Sequence, residues 1–269
     1  MSSYLSLSDQ TLIRYQSFGK GQTIVLVPGW CCPSDIFAKN LGAFVAANYR
    51  VLTFDPRGHG YSDISENGNN YIQHGEDLGE ILTQLNIERP ILLGWTLGLH
   101  TIYAYLKEFG LNDVKAVIAV DQCPNIIKSS DDDWGEGNGL EIEGLFDLIE
   151  SEQFLHFYRD YIEGGFIDSP DLEMVERFTA YAARMTPQMA ASLIRSSADT
   201  DYSDIARQAA EKLPFLTIVR EDWADEAQAW VKANQAKSTF HVLGAHLMLY
   251  EYPYQFNTLV LDFLKQLDN

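Results

Sequence analysis

The stretch "ILLGWTLGLH", residues 91–100, decides how this chain is read. Three large aliphatic residues, Ile91, Leu92 and Leu93, run into Gly94-Trp95-Thr96-Leu97-Gly98, and a helix-like stretch follows to about Phe109. The uninterrupted apolar run suits a strand covered on both faces. A glycine on each side of Thr96 lets a tight strand-to-helix turn pack closely and hold one side chain above the sheet. A threonine hydroxyl at that position becomes a nucleophile when a base activates it. Its methyl, however, stiffens χ1 and crowds the attacked centre, so slower acylation is expected than serine would give.

Working outward, strands and helices alternate. "SYLSLSDQTLIRYQSFG" reads as a hairpin, and "TIVLVPG" as a buried strand. A helix is expected from about Ser34 to Ala47 with Ser34 as its N-cap. "RVLTFD" is the next strand and ends in the glycine-rich "PRGHGYSD". Tyr71 to Leu85 is helical, with Leu78, Ile81, Leu82 and Leu85 on one side, and "KAVIAVD" is a strand. Such alternation predicts an α/β architecture with a mostly parallel, doubly wound sheet. The pattern changes over residues 125–204. There the acidic "SSDDDWGEGNG" precedes helical segments carrying Phe146, Phe154, Phe157, Tyr158, Tyr161, Phe166, Phe178 and Tyr181. This segment is read as a helical cap inserted into a core of residues 1–124 and 205–269, its aromatics forming mostly its own core. "FLTIV", a helix from about Ala224 to Asn234, "TFHVL" and the amphipathic "PYQFNTLVLDFLKQL" complete the core.

Composition narrows the function classes. Hydrophobic residues make up 46% of the 269 positions, enough for a real core, and the net charge is −19. That balance speaks against nucleic acid and anionic membranes as partners, because phosphate neutralisation needs Lys and Arg. Cys31, Cys32 and Cys123 lack metal-ligand spacing, and adjacent cysteines rarely pair with each other. No secretory signal and no apolar run of bilayer length is seen, which gives a cytoplasmic expectation.

Four motifs in order resemble the α/β-hydrolase superfamily across nearly the whole chain. "VPGWC" stands at the place of the family's oxyanion loop and "DPRGHGYS" at the loop after the following strand. "GWTLG" stands at the nucleophile elbow, with threonine for serine, and "GAHLMLYEYPYQFN" at the histidine segment. The resemblance implies that the N–H groups of Trp30 and Leu97 hold a developing oxyanion and that Trp95 contributes to the substrate pocket. It implies that His246 is the general base. The acid that orients His246 is expected to be Asp121, at the end of "IAVDQCP", with Asp222 in "IVREDWADE" as the alternative. His59 belongs to the Arg-Gly-His-Gly loop, His100 to the helix after the elbow and His241 to a strand. His74 and His156 are expected at surface or cap positions.

Within the superfamily, Pro28-Gly29-Trp30-Cys31 and an acid after the earlier strand are similar to the cofactor-independent 3-hydroxy-4(1H)-quinolone 2,4-dioxygenases. That resemblance implies base-driven cleavage of a heteroaromatic ring, such as that of a 2-alkyl quinolone signal. His246 would take the substrate's hydroxyl proton, Asp121 would support it and Thr96 would offer a hydrogen bond. The partners would be a small apolar or heteroaromatic substrate and O2, with no cofactor and no metal. Trp95 and Leu97 depart from that branch, whose members carry histidine beside the elbow serine. The alternatives are an esterase or lactonase with Thr96 as nucleophile, and a non-catalytic binder of apolar ligands.

Overall fold

The computed structural model describes residues 3–65, 67–130 and 133–267; Asp131 and Asp132 of the acidic stretch lie outside them. Eight strands among these residues form one sheet: β1 Ser3–Ser6, β2 Leu12–Phe18, β3 Thr23–Val27, β4 Arg50–Phe54, β5 Ile91–Trp95, β6 Ala116–Val120, β7 Phe215–Val219 and β8 Thr239–Val242. Their order is β1-β2-β4-β3-β5-β6-β7-β8. β1 and β2 form the expected hairpin, β2 pairs antiparallel with β4, and the remaining pairs are parallel.

The central strands are buried along their whole length, as their unbroken apolar runs require. Alternate residues divide between two cores. Ile24, Leu26, Leu93 and Ile118 face one that includes Phe44 of α1 (Leu41–Ala46). Val25, Val27, Leu92 and Val117 face the other, filled by α2 (Tyr71–Gln84) and α3 (Gly98–Phe109). Between β6 and β7 lie α4 (Gly139–Ile149), α5 (Phe154–Glu163), α6 (Leu172–Ala182), α7 (Pro187–Ala198) and α8 (Ser203–Lys212). The chain continues with α9 (Ala224–Asn234), α10 (Met248–Glu251) and α11 (Pro253–Gln266), whose Val260 and Leu264 join the first core. Among the described residues no helix is long and apolar enough to cross a membrane.

Two local expectations are corrected. The stretch 34–47 is broken into a 3-10 turn, Ser34–Phe37, and the short α1, and Pro33 rather than Ser34 stands at the first cap. The reason is Asp55 at the end of β4, whose Oδ1 accepts from the Ser34 N–H at 2.8 Å and its hydroxyl at 2.7 Å. His74 is buried rather than on the surface, its ring 5.6 Å from that of His59.

Trp30, Thr96 and Asp121 follow the carboxyl ends of β3, β5 and β6, and His246 follows β8. This is the edge where an open parallel sheet leaves its ligand crevice.

Candidate active site

Thr96 occupies a left-handed backbone conformation, φ +46°. A β-branched residue is a genuine outlier there, held by its surroundings. Those surroundings are explicit: its N–H donates to Val120 O at 2.9 Å, and its carbonyl accepts from Leu99 N–H at 2.8 Å. Gly98 allows the following helix to begin, since a Cβ there would lie 2.4 Å from Val27 O. A Cβ at Gly29 would lie only 1.6 Å from Thr96 Cγ2, so the threonine methyl is turned toward the loop of Gly29 and Trp30. Thr96 Oγ1 donates to Gln122 Oε1 at 3.3 Å.

The backbone N–H groups of Trp30 and Leu97 have no acceptor among the described residues. Both residues are buried, and buried N–H groups are almost always paired, so two such groups beside Thr96 form an anion-ready site. The loop carrying Trp30 is fixed from several sides. The Trp30 indole donates to Ala190 O at 2.9 Å, and Cys32 N–H donates to Gly29 O at 3.2 Å. Cys31, itself at φ +56°, donates its N–H to His59 Nε2 at 3.1 Å. With Nε2 accepting, His59 Nδ1 donates to Arg57 O at 2.9 Å. Arg57 is clamped by both oxygens of Asp77 at 2.8 Å each, so the "DPRGHGYS" loop buttresses the loop that carries Trp30 and Cys31.

His246 and Asp121 meet as expected, Nδ1 to Oδ2 at 2.5 Å. Asp121 sits at φ +53° and is pinned by its N–H to Ile218 O at 2.8 Å. Its Oδ1 accepts from Arg220 N–H, and its Oδ2 also accepts from Arg220 Nη1, both at 2.9 Å. The Arg220 guanidinium stacks on Trp223, 3.4 Å from the ring centroid. Burial pushes the Asp121 carboxyl up, but His246 and Arg220 prevail and hold it below the usual carboxylate range. A carboxylate on Nδ1 sets that nitrogen as the proton carrier and leaves Nε2 as the acceptor. Nε2 faces Tyr161 Oη at 2.6 Å. Thr96, which a directly paired nucleophile and base would bring to Nε2, points instead at Gln122.

Thr96 and Tyr161 border a cavity of about 80 Å³, whose apolar wall includes Trp30, Leu97, Ile142 and Phe157. Glu136 is its only charged lining residue and also borders a depression on the surface beyond. Desolvation raises the Glu136 pKa, with Arg220 and His246 opposing. Its Oε1 accepts from Gln122 Nε2 at 3.3 Å. Burial likewise drives the Tyr161 phenol far up, so it stays a neutral hydroxyl.

Of the expected site residues, Thr96, Trp30, Leu97, His246 and Asp121 come together. Trp95 does not line the cavity: it is fully buried, and its indole donates to His246 O at 2.9 Å, so it fixes the histidine loop. Asp222 lies exposed in the turn Glu221–Trp223, and the histidine's carboxylate is Asp121. His100 is buried, donating to Cys123 O at 3.0 Å and accepting from the Ser197 hydroxyl at 2.8 Å. His241 lies in β8, and His156 is exposed on α5. Sequence reasoning misses Gln122, Glu136, Tyr161 and Arg220. It counts Tyr161 among cap aromatics that form mostly the cap's own core, yet Phe154, Phe157, Tyr158 and Tyr161 all pack on Trp30, at 5.8–6.4 Å between centroids.

Comparison with known proteins places the fold. A putative non-heme chloroperoxidase of Synechocystis is 29% identical over 153 residues, 55% of each chain. The non-heme chloroperoxidase CPO-A1 of Kitasatospora aureofaciens is 24% identical over 90% of this chain and 88% of its own. A bromoperoxidase structure from Bacillus anthracis superposes with a TM-score of 0.89 at 24% identity, covering 98% of this chain and all of the other. The esterase EaEST from Exiguobacterium antarcticum does so with a TM-score of 0.87 at 20% identity, over 98% and 100% of the two chains. The family model described as alpha/beta hydrolase fold matches residues 22–163, from β3 through the elbow to the end of α5. With the elbow, the switch of strand order and the sheet edge all in place, this chain belongs to the alpha/beta hydrolase fold family.

Proposed function

We propose that the protein hydrolyses small carboxylic esters or lactones through an acyl-enzyme on Thr96. The observation that carries this reading is the pair of unengaged N–H groups of the buried residues Trp30 and Leu97, which border the same cavity as Thr96. They are the donors that a tetrahedral oxyanion requires. Asp121 holds His246 in the tautomer whose Nε2 accepts a proton, and Thr96 supplies the oxygen that attacks. A cavity of about 80 Å³ favours a short acyl group, because pockets for larger ligands typically run to roughly 300 Å³ or more. The similar structures include an esterase, which supports the reading.

A second reading, proton abstraction from a hydroxylated heteroaromatic ring followed by reaction with O2, is favoured by one observation. A phenolic hydroxyl, that of Tyr161, already sits 2.6 Å from His246 Nε2, where such a substrate would place its own. The cavity is small for a bicyclic ring, and the ester reading is preferred on that ground. Turnover of p-nitrophenyl acetate and butyrate, set beside oxygen uptake with 2-methyl-3-hydroxy-4(1H)-quinolone, separates the two. Ester turnover that disappears in Thr96→Ala is expected; oxygen uptake that survives Thr96→Ala and vanishes in His246→Ala would reverse the preference.

A further inference from the structure

Thr96 and His246 are not hydrogen-bonded to each other, although the ester reading needs a proton to pass between them. The cause lies in the elbow. With the Thr96 methyl turned into the space left by Gly29, its hydroxyl is directed to Gln122, 3.3 Å away. The base is meanwhile engaged by Tyr161, 2.6 Å from Nε2. Tyr161 and Thr96 border the same cavity.

We propose that Tyr161 is a catalytic residue that relays the proton from Thr96 to His246. The inference rests on the acyl-enzyme reading above. In the acylation step the Thr96 hydroxyl turns from Gln122 to Tyr161 as its oxygen bonds to the acyl carbon. The Thr96 O–H bond breaks and its proton passes to Tyr161 Oη. The Tyr161 O–H bond breaks in turn, and that proton passes to His246 Nε2. The carbonyl π pair becomes the oxyanion beside Trp30 and Leu97. On collapse, the carbon–oxygen bond to the leaving group breaks, and the proton on His246 returns through Tyr161 to the departing alkoxide. Tyr161 ends each step as the neutral phenol it was, which suits a hydroxyl that both donates and accepts.

The position of Tyr161 on α5 is firm enough for this role. Its ring is edge-on to Trp30 at 6.1 Å and 5.3 Å from the ring of His246. The backbone of the same region is tied to the histidine loop by Leu247 N–H to Gly165 O at 2.9 Å.

The relay makes a prediction that a covering or packing role does not. A serine at position 96 lacks the methyl and can rotate to meet His246 directly, so it needs no intermediary. The test is single-turnover release of p-nitrophenol from p-nitrophenyl butyrate, with enzyme in excess. The variants are the native protein, Tyr161→Phe, Thr96→Ser and the double variant. Tyr161→Phe is expected to slow acylation by at least about 100-fold in the native background, the usual scale for losing a proton-transfer group. In the Thr96→Ser background it should slow acylation by less than about tenfold, which also shows that the Tyr161→Phe substitution leaves the fold intact. A proton inventory in mixed H2O and D2O should be curved for the native protein, with two protons in flight, and linear for Thr96→Ser. Native-like or faster acylation by Tyr161→Phe overturns the relay, as does an equal loss in both backgrounds. Those outcomes leave the ester reading standing. Absence of p-nitrophenol release from the native protein, or release undiminished in Thr96→Ala, brings down the ester reading and the relay together.

Discussion

The methyl carbon of Thr96 stands where a side chain at position 29 would have to go, 1.6 Å from the place of a Gly29 Cβ. The two residues are a matched pair, one branched at Cβ and the other without any. Gly29→Ala therefore overpacks a buried loop and should cost about 3 kcal/mol, the upper part of the range for inserting a carbon into a filled core. The same substitution in a Thr96→Ser protein should cost less by at least about 1 kcal/mol. Urea unfolding of the four proteins closes the cycle. Equal losses in both backgrounds would show that the methyl is not what excludes the side chain.

Trp95 gives a test of how the histidine loop is held. Trp95→Phe keeps a ring in the core but removes the N–H that donates to His246 O. The buried carbonyl is then unpaired, at a cost of about 1–3 kcal/mol in stability. Turnover should fall with it because the base is no longer fixed. Full activity with lowered stability would mean that the loop is held well enough by Leu247 and Gly165.

Asp121→Asn probes the dyad. An amide can present its NH2 to Nδ1, which leaves the proton on Nε2 and makes the base unable to accept; a loss of about 10,000-fold in kcat is expected. The variant also leaves the Arg220 guanidinium without the carboxylate that now pairs it. Steady-state kinetics with p-nitrophenyl butyrate measures this, and retention of more than a tenth of the activity would contradict the assigned role.

Glu136 should shape the choice of acyl group. It is the one charged residue on an apolar cavity wall, so an acyl chain ending in a carboxylate meets repulsion there. The native protein should prefer p-nitrophenyl butyrate to the p-nitrophenyl monoester of succinate, and Glu136→Gln should narrow that preference by about tenfold, or about 1.4 kcal/mol. An unchanged ratio of kcat/KM values would remove Glu136 from substrate selection.

Acid should destabilise the protein before its ordinary carboxylates titrate. Burial lowers the His100 pKa to about 4, against the pull of the Cys123 carbonyl, and burial also lowers His59 and His74. An unfolded histidine takes up its proton near pH 6.5, so below that pH the unfolded chain binds more protons than the folded one. The stabilisation from His100 is complete above about pH 6.5 and drains away as pH falls toward 4, by about 3 kcal/mol in all. Urea midpoints should therefore fall between pH 6.5 and 5, and His100→Gln should flatten the slope. Stability that holds level through that window would contradict the buried neutral histidines.

Much of this site is legible in the order of residues along the chain, for reasons particular to each part. The elbow is a local device, so Ile91 to Gly98 carry their own geometry. Asp121 and His246 each follow a strand end, and parallel strands deliver their carboxyl ends to one edge. What is not legible depends on how one element is seated on another. Tyr161 can be read as an aromatic on a helix, but its meeting with His246 depends on how α5 is set over the sheet edge. Trp95 lies next to Thr96 in sequence, yet it ends β5 while Thr96 opens the turn, and Trp95 is buried with its indole on His246 O. His74 is polar in an amphipathic helix, and only packing against the His59 loop shows it to be buried.

The most direct measurement of the central claim is mass spectrometry of the protein quenched during turnover of p-nitrophenyl butyrate. A butyryl group on the peptide that carries Thr96, absent from Thr96→Ala, is the predicted result. Ester turnover with no acyl group on Thr96, undiminished when Thr96 is replaced by alanine, would contradict it.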